Sequence, residues 1–561
     1  MNSEQLEQLE KLEKIKAARR EAVICSYNAA KAENARRFLE EDPKATAEYI
    51  FPNQHEDSAG IVNNYYANNC RVGAVVKRTK VGADGLMIAV ATQMTTHPDD
   101  SFVVNPANVR IITGMSNASW EKDMKDKAPS CFKNNIFHHG QLQHADLRGL
   151  RDSLIIIDEL DTGDKDFQVL HKTLLEAGVL NVTYMNEHNI RFLFISATMV
   201  KELYHLYSWG ELYFMHRMTI PATYIGHMDF LERGIIQEFY HLTTIANASK
   251  WVQEDVLDNY GSDFRIHIVR TNLKTSCVIQ TACIKKEIEC RNHTSSDKIE
   301  EAVLREIFEG HRTGHLVLLV KNFYRRANLI PNDWKMRIGA VHELHTKIVD
   351  NNVQIQGLAG RMTGYWRSAI EGGHRTGPYR TSVLAVQQYE AVYNDPFGQN
   401  SYNAQGFKKN HGKVTTCTPV FVHPKNIVGL VAGPKPGQNE EEEGEPKKTV
   451  PIVLSISLEE IERIHKLKSA HKQVALRVVL KQYLQSAGKD DLAGRIDGFE
   501  VGQITRPSTE GSRKRNVDDP VRAAQQNKCY TINVADKIQD SWQAVLDDRG
   551  LQVIFMIYCS P

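Results

Sequence analysis

LIIIDELD, Leu154 to Asp161, is the stretch on which the reading of this chain turns. Four consecutive apolar, mostly β-branched residues describe a strand buried on both faces, and such strands belong to parallel sheets covered by helices. Asp158 and Glu159 follow at once, at the carboxyl end of a central strand, the edge where open α/β sheets bind ligands. A carboxylate pair there suits Mg²⁺ and a water polarised beside a phosphate. A plain acidic turn after a strand would read the same way.

Outward from this stretch the same theme recurs. β-Branched runs at 72–76 (VGAVV), 109–113 (VRIIT) and 191–195 (RFLFI) alternate with helix-length segments, which predicts right-handed βαβ units and a parallel sheet. The loops after these strands, VKRTKVGADG, TGMSNASW, DELDTGDK and SATM, then share one edge and build one site. FRIHIV (264–269), HLVLLV (315–320) and MRIGAV (336–341), followed by NNVQIQGLAGRMTGYW, predict a second α/β domain; 205–250 reads as a connection.

The expected organisation is a helical segment over 1–45, a first domain over 46–235 and a second over 236–430, then a Pro/Gly/acidic linker over 431–450 and a small α+β domain over 451–561. In the helical segment Leu6, Leu9, Leu12 and Ile15 recur at near-helical spacing. In the last domain VPIVLSIS, CYTINV and LQVIFMIY read as strands, and Ser457 with Glu460 as a capping box.

A chain of 561 residues is too long for one core. Its 69 Lys+Arg against 68 Asp+Glu leave a net charge of +1, so contact with nucleic acid requires a local basic groove. The 9 cysteines are scattered without a C-x-x-C pair, which reads as reduced thiols and no structural zinc. His138, His139 and His144 lack partners at ligand spacing and read as non-metal. No apolar run reaches the ~20 residues of a membrane helix, and the charged N-terminus is unlike a secretory signal, so an intracellular location, cytoplasm or nucleus, is expected.

DELD and SAT on the edge loops of one parallel-sheet domain, with Q-G-L-A-G-R in a second, resemble the superfamily 2 helicases and translocases over residues 50–420. DELDTGDK, NEHNIRFLFISATM and GRMTGY are similar to helicase-like proteins of large DNA viruses and phages, whose setting would be a virion or a viral or replication complex. The resemblance implies two RecA-like domains in tandem, ATP and Mg²⁺ between them, and DNA or RNA across their tops. Asp158 would hold the metal and Glu159 would orient the attacking water. Ser196, Ala197 and Thr198 would couple the domains, and Arg361 would be the arginine finger. Gln356 would lie near the nucleotide, although three residues separate it from Gly360 where the family pattern has two. Gly364 stands where the family has a second arginine.

The phosphate loop departs further. Thr79, Lys80, Gly82 and Gly85 match loop positions, but Ala83 and Asp84 replace the usual Lys and Thr, a degenerate Walker A motif. A lost cation and an added carboxylate would repel the nucleotide; Lys77 or Lys80 could substitute, or Asp84 could ligate the metal. Candidate contacts to a single strand are Ser116, Trp120, Lys321, Arg325 and Arg326. Arg513, Lys514 and Arg515 read as surface. The expected function is an ATP-dependent helicase or translocase. The alternative is a catalytically silent relative serving as scaffold or nucleic-acid-binding component. A nuclease built on Asp158 and Glu159 lacks further acidic ligands.

Overall fold

The computed structural model describes residues 3–41, 48–99, 103–163, 168–321, 323–324, 330–346 and 349–395, and beyond them 409–410, 413–414, 422, 426–430, 451–455, parts of 478–490, 500–501, 528–532 and 552–556. The chain divides into two compact units, Met1–Pro436 and Gly437–Pro561.

The first unit holds two RecA-like lobes, each built on a six-stranded sheet. Strands β1 (Val72–Val76), β2 (Val109–Thr113), β3 (Ile136–Phe137), β4 (Ser153–Asp158), β5 (Ile190–Ser196) and β6 (Tyr213–Arg217) lie in the order β3-β2-β4-β5-β1-β6. Strands β7 (Ile236–Glu238), β8 (Ile266–Arg270), β9 (Glu289–Thr294), β10 (Leu316–Lys321), β11 (Ile338–His342) and β12 (Tyr379–Thr381) lie in the order β7-β12-β11-β8-β10-β9. Every pairing in both sheets is parallel.

β4 lies between β2 and β5, and Leu154, Ile155, Ile156 and Ile157 are each 0% exposed. Because side chains alternate along a strand, Leu154 and Ile156 join the core beneath helices α2 (Pro52–Ala67) and α3 (Ala83–Thr96), while Ile155 and Ile157 join Leu170 and Leu174 on the other face. Each such side chain contributes roughly 1.5–3 kcal/mol by burial. That anchoring fixes where Asp158 and Glu159 emerge.

The N-terminal segment is one helix, α1 (Ser3–Glu41), which sends Val23 into the first-lobe core. β6 and β7 occupy the stretch that reads as a connection in the sequence, and β9 was likewise not anticipated. All three are edge strands with partly exposed side chains, so none presents the apolar run that marks a central strand.

In the second unit Pro451–Ser455, Glu500–Val501, Lys528–Ile532 and Gln552–Met556 form a four-stranded sheet, with Gln552–Met556 antiparallel to both Pro451–Ser455 and Lys528–Ile532. The linker at 431–450, the Ser457/Glu460 capping box and Arg513, Lys514 and Arg515 lie outside the described residues.

Candidate nucleotide site

The loop after β1 turns into α3 at Gly82, whose φ of +90° favours glycine. The Gln54 side chain lies over this turn: its Nε2 donates to the Gly82 carbonyl at 2.5 Å, and its Oε1 accepts from the Phe51 amide at 2.9 Å. Lys77, the first residue past β1, places its Nζ 3.0 Å from Glu159 Oε1, with side chains 9% and 6% exposed. Burial disfavours that ammonium, but the fields of Glu159 and Asp158 outweigh it and hold the Lys77 pKa above its usual value. Lys80 fares oppositely: burial, then Arg361 and Lys77, push it well below the ordinary lysine range. Lys77 is therefore the dependable cation of this loop.

Asp84, in the first turn of α3, pairs with Lys127 of helix α4 (Ala118–Lys127) at 2.8 Å. Burial raises its carboxyl, but Lys127 overrides that and holds the pKa low, so Asp84 is ionised.

At the end of β4, Asp158 Oδ2 accepts from the Trp120 indole at 2.9 Å, while Oδ1 is buried without a hydrogen-bond partner. Burial pushes the Asp158 carboxyl up to about 7, against the pull of Lys77. Glu159 has φ +51°, a left-handed conformation uncommon for this residue, and such strain gathers at functional sites. Asp161 gathers the loop after β5, accepting from Ser196 Oγ at 2.9 Å and Thr198 Oγ1 at 3.0 Å; Ala197 lies buried between them.

The second lobe closes onto these groups. Gln356 Nε2 donates to Glu159 Oε2 at 3.0 Å and reaches Thr198 Oγ1 at 3.4 Å, while its Oε1 accepts from Arg361 Nη2 at 3.0 Å. Asn352 Nδ2 reaches Asp161 Oδ2 at 3.3 Å. Nearby, the hydroxyls of Thr79 and Thr363 meet at 2.8 Å and Tyr365 donates to the Val81 carbonyl at 2.6 Å. Arg78 pairs with Glu390 through both nitrogens and lies 3.5 Å over the Tyr393 ring. These contacts bridge the two lobes across the cleft.

Inside is a cavity of about 260 Å³ whose walls include Lys77, Lys80, Gly82, Asp158, Glu159 and Arg361. A second cavity of about 220 Å³, walled by Tyr49, Phe51 and Ile88, adjoins it and shares Gly82, Asp84 and Lys127. Among the described residues no three His, Cys, Asp or Glu side chains gather as a metal cage. Mg²⁺ needs none, since one or two carboxylates plus phosphate oxygens suffice, and the unsatisfied Oδ1 of Asp158 fits that use.

Of the residues singled out in the sequence, Lys80, Gly82, Asp158, Glu159, Gln356 and Arg361 line one cavity. Ser196 and Thr198 join its carboxylates from behind, and Thr79 lies on the seam between the lobes. Gly85 packs under Gln54, where a Cβ would come within 2.2 Å of Oε1. Trp120 is directed at Asp158 and only 6% exposed, while Ser116 is exposed on the neighbouring loop. Arg325 and Arg326 lie outside the described residues. Gln54 and Lys127 were not singled out in the sequence; the one available signal was the FPNQ entry to α2, with proline at the first helical position.

No protein-family model matches the chain, and no curated protein matches it. Among solved structures, Saccharomyces cerevisiae Dbp5 bound to RNA and ADP BeF3 is similar over 62% of this chain and 92% of its own, at 12% identity and a TM-score of 0.35. The Escherichia coli DEAH/RHA helicase HrpB is similar over 66% of this chain and 49% of its own, at 10% identity and a TM-score of 0.35. A DEAD box protein from the hyperthermophile Methanococcus jannaschii is similar over 61% and 90%, at 10% identity and a TM-score of 0.30. Likeness at this level assigns no role to any residue.

Proposed function

We propose that the chain is a helicase-like, nucleic-acid-binding module that binds ATP with Mg²⁺ between its two lobes and hydrolyses it. The observation that carries this reading is the hydrogen-bonded series Lys77–Glu159–Gln356–Arg361, which runs across the cleft around one cavity.

Each group has a task that its surroundings suit. Lys77 presents a fixed positive charge at the end of β1, where a phosphate chain would enter the turn before α3. Glu159, held by Lys77 on one oxygen and Gln356 on the other, is positioned to orient a water and take its proton. Asp158 would hold Mg²⁺ through its unsatisfied oxygen, and the metal when bound would neutralise phosphate charge. Arg361 would offer its guanidinium to the charge developing on the transferred phosphoryl. The adjoining cavity beside Phe51 and Tyr49 suits the flat apolar face of a base. A single strand would cross the loop at Ser116.

The test is phosphate release by the full chain with Mg²⁺ and ATP, with and without single-stranded DNA or RNA. Turnover stimulated by one of these strands and abolished by Glu159→Gln is expected. No turnover and no ATP binding would overturn the proposal.

A second reading, a catalytically silent relative serving as scaffold, is favoured by one observation: ionised Asp84 and neutral Ala83 at the phosphate loop. It predicts no turnover in the natural sequence and its appearance on Ala83→Lys with Asp84→Thr.

A further inference from the structure

The opposite edge of the first sheet carries a separate cavity of about 490 Å³. Arg71 precedes β1, Asp152 precedes β4, and Asn189 and Arg191 flank the start of β5, so the cavity lies at the amino ends of the strands, across the sheet from Asp158. Lys16 and Arg19 reach it from α1. Four cationic side chains and one carboxylate, Asp152, line the cavity, and Lys16 also pairs with Glu13 at 3.0 Å.

Two of these cations are buried. Arg191 is 1% exposed and Arg71 is 7% exposed. Both guanidiniums reach Asn189 Oδ1, which Arg71 Nη1 approaches to 3.4 Å, and Arg191 Nη2 also donates to Asn69 Oδ1 at 3.1 Å. Asn189 in turn donates to Asp152 at 2.9 Å. Arg71 Nε is buried with no hydrogen-bond partner. Burial, then the field of Arg71, push the Arg191 pKa down to about 9. Adjacent buried guanidiniums are disfavoured unless an anion joins them.

The geometry points to a binding site for a compact phosphate-bearing anion, held between α1 and the amino edge of the first sheet. Guanidinium forks match phosphate oxygens, and the cavity has the size of a small-molecule site. Because Lys16 and Arg19 come from α1 while Arg71 and Arg191 come from the sheet, the anion would fasten α1 to the first lobe. The site is independent of the nucleotide cleft.

Calorimetric titration of the full chain with inorganic tripolyphosphate, without Mg²⁺, tests it. Binding is expected in the natural sequence and in Lys127→Glu, which adds negative charge beside Asp84 at the nucleotide cavity. Arg19→Glu is expected to weaken binding at least tenfold, and Arg71→Gln to abolish it. Arg19 is exposed, so its substitution leaves the fold intact even where Arg71→Gln fails to fold. No binding at millimolar concentration, or binding lost in Lys127→Glu and kept in Arg19→Glu, would overturn the assignment.

Discussion

The two walls of the cleft are built in opposite ways. On the first-lobe wall the turn into α3 carries apolar Ala83 and the carboxylate of Asp84, and a cation is supplied to the cavity by Lys77 from the end of β1, fixed by Glu159. On the second-lobe wall Gln356 and Arg361 lie five positions apart in the sequence, and Gln356 reaches both Glu159 and Arg361. Gln356 and Gly357 lie at the break between the short helices Asn351–Ile355 and Leu358–Met362. Gly360 packs so closely there that a Cβ would come within 1.9 Å of the Ile355 carbonyl. What a phosphate would meet is set by where charges converge, and neither wall spells that out in order.

The largest effect expected on this comparison falls on the second-lobe wall. Arg361→Lys keeps a positive charge and removes the planar fork, and phosphate release at saturating ATP should fall by about 10³-fold or more. A variant that retained the full rate would show that this wall supplies no finger, and the comparison would lose one side. On the first-lobe wall, Lys77→Met leaves Glu159 buried without its ion-pair partner and should destabilise the protein by about 3–5 kcal/mol in urea unfolding. Adding Glu159→Gln should restore most of that. Strict additivity of the two changes would mean that the ion pair holds nothing.

How much of this was legible in the sequence follows from burial. The longer central strands announce themselves because LIII, VGAVV and RFLFI are apolar on both faces, and their carboxyl ends locate the loops that carry Asp158, Ser196 and Thr198; the three-residue β12, internal between β7 and β11, carries no such run. The edge strands β6, β7 and β9 carry no such run. Within the site, the sequence could name Arg361 but not its link to Glu159, because Gln356 bridges them through hydrogen bonds between distant segments. It could offer Lys77 and Lys80 as substitutes without choosing between them; what separates them is the surrounding field, carboxylates for Lys77 and cations for Lys80. Trp120, an open stacking candidate on paper, turns inward because Asp158 accepts its indole proton.

A smaller effect sharpens the first-lobe wall. Asp84 is about two-fifths exposed, so its repulsion of a phosphate chain is partly screened by solvent and by Lys127. Asp84→Asn should tighten ATP binding by roughly three- to tenfold in equilibrium titration, the range expected for one charge near a protein surface. Weaker binding would give Asp84 the opposite role, that of a ligand to the metal.

The smallest effect is a dependence on pH, and it contrasts two buried lysines. Carboxylates raise the pKa of Lys77, whereas Lys335, buried in the second lobe, is pushed down to about 7 by burial first and then by Arg361. Its Nζ donates to the Thr363 carbonyl at 2.9 Å and to Asn332 at 3.1 Å, bonds that a neutral amine also makes. Between pH 7 and the ordinary lysine value the unfolded chain holds a proton on Lys335 that the folded chain lacks. Stability from this group therefore rises with pH across that window, by at most about 1.4 kcal/mol per unit, and levels off below it. Urea midpoints at pH 7, 8 and 9 should show this slope in the natural sequence and lose it in Lys335→Met, with Arg361→Gln reducing it only in part because burial is the larger cause. Equal slopes in the natural sequence and Lys335→Met would mean that Lys335 stays protonated beside Arg361, and the second lobe would then bury one more positive charge than its surroundings favour.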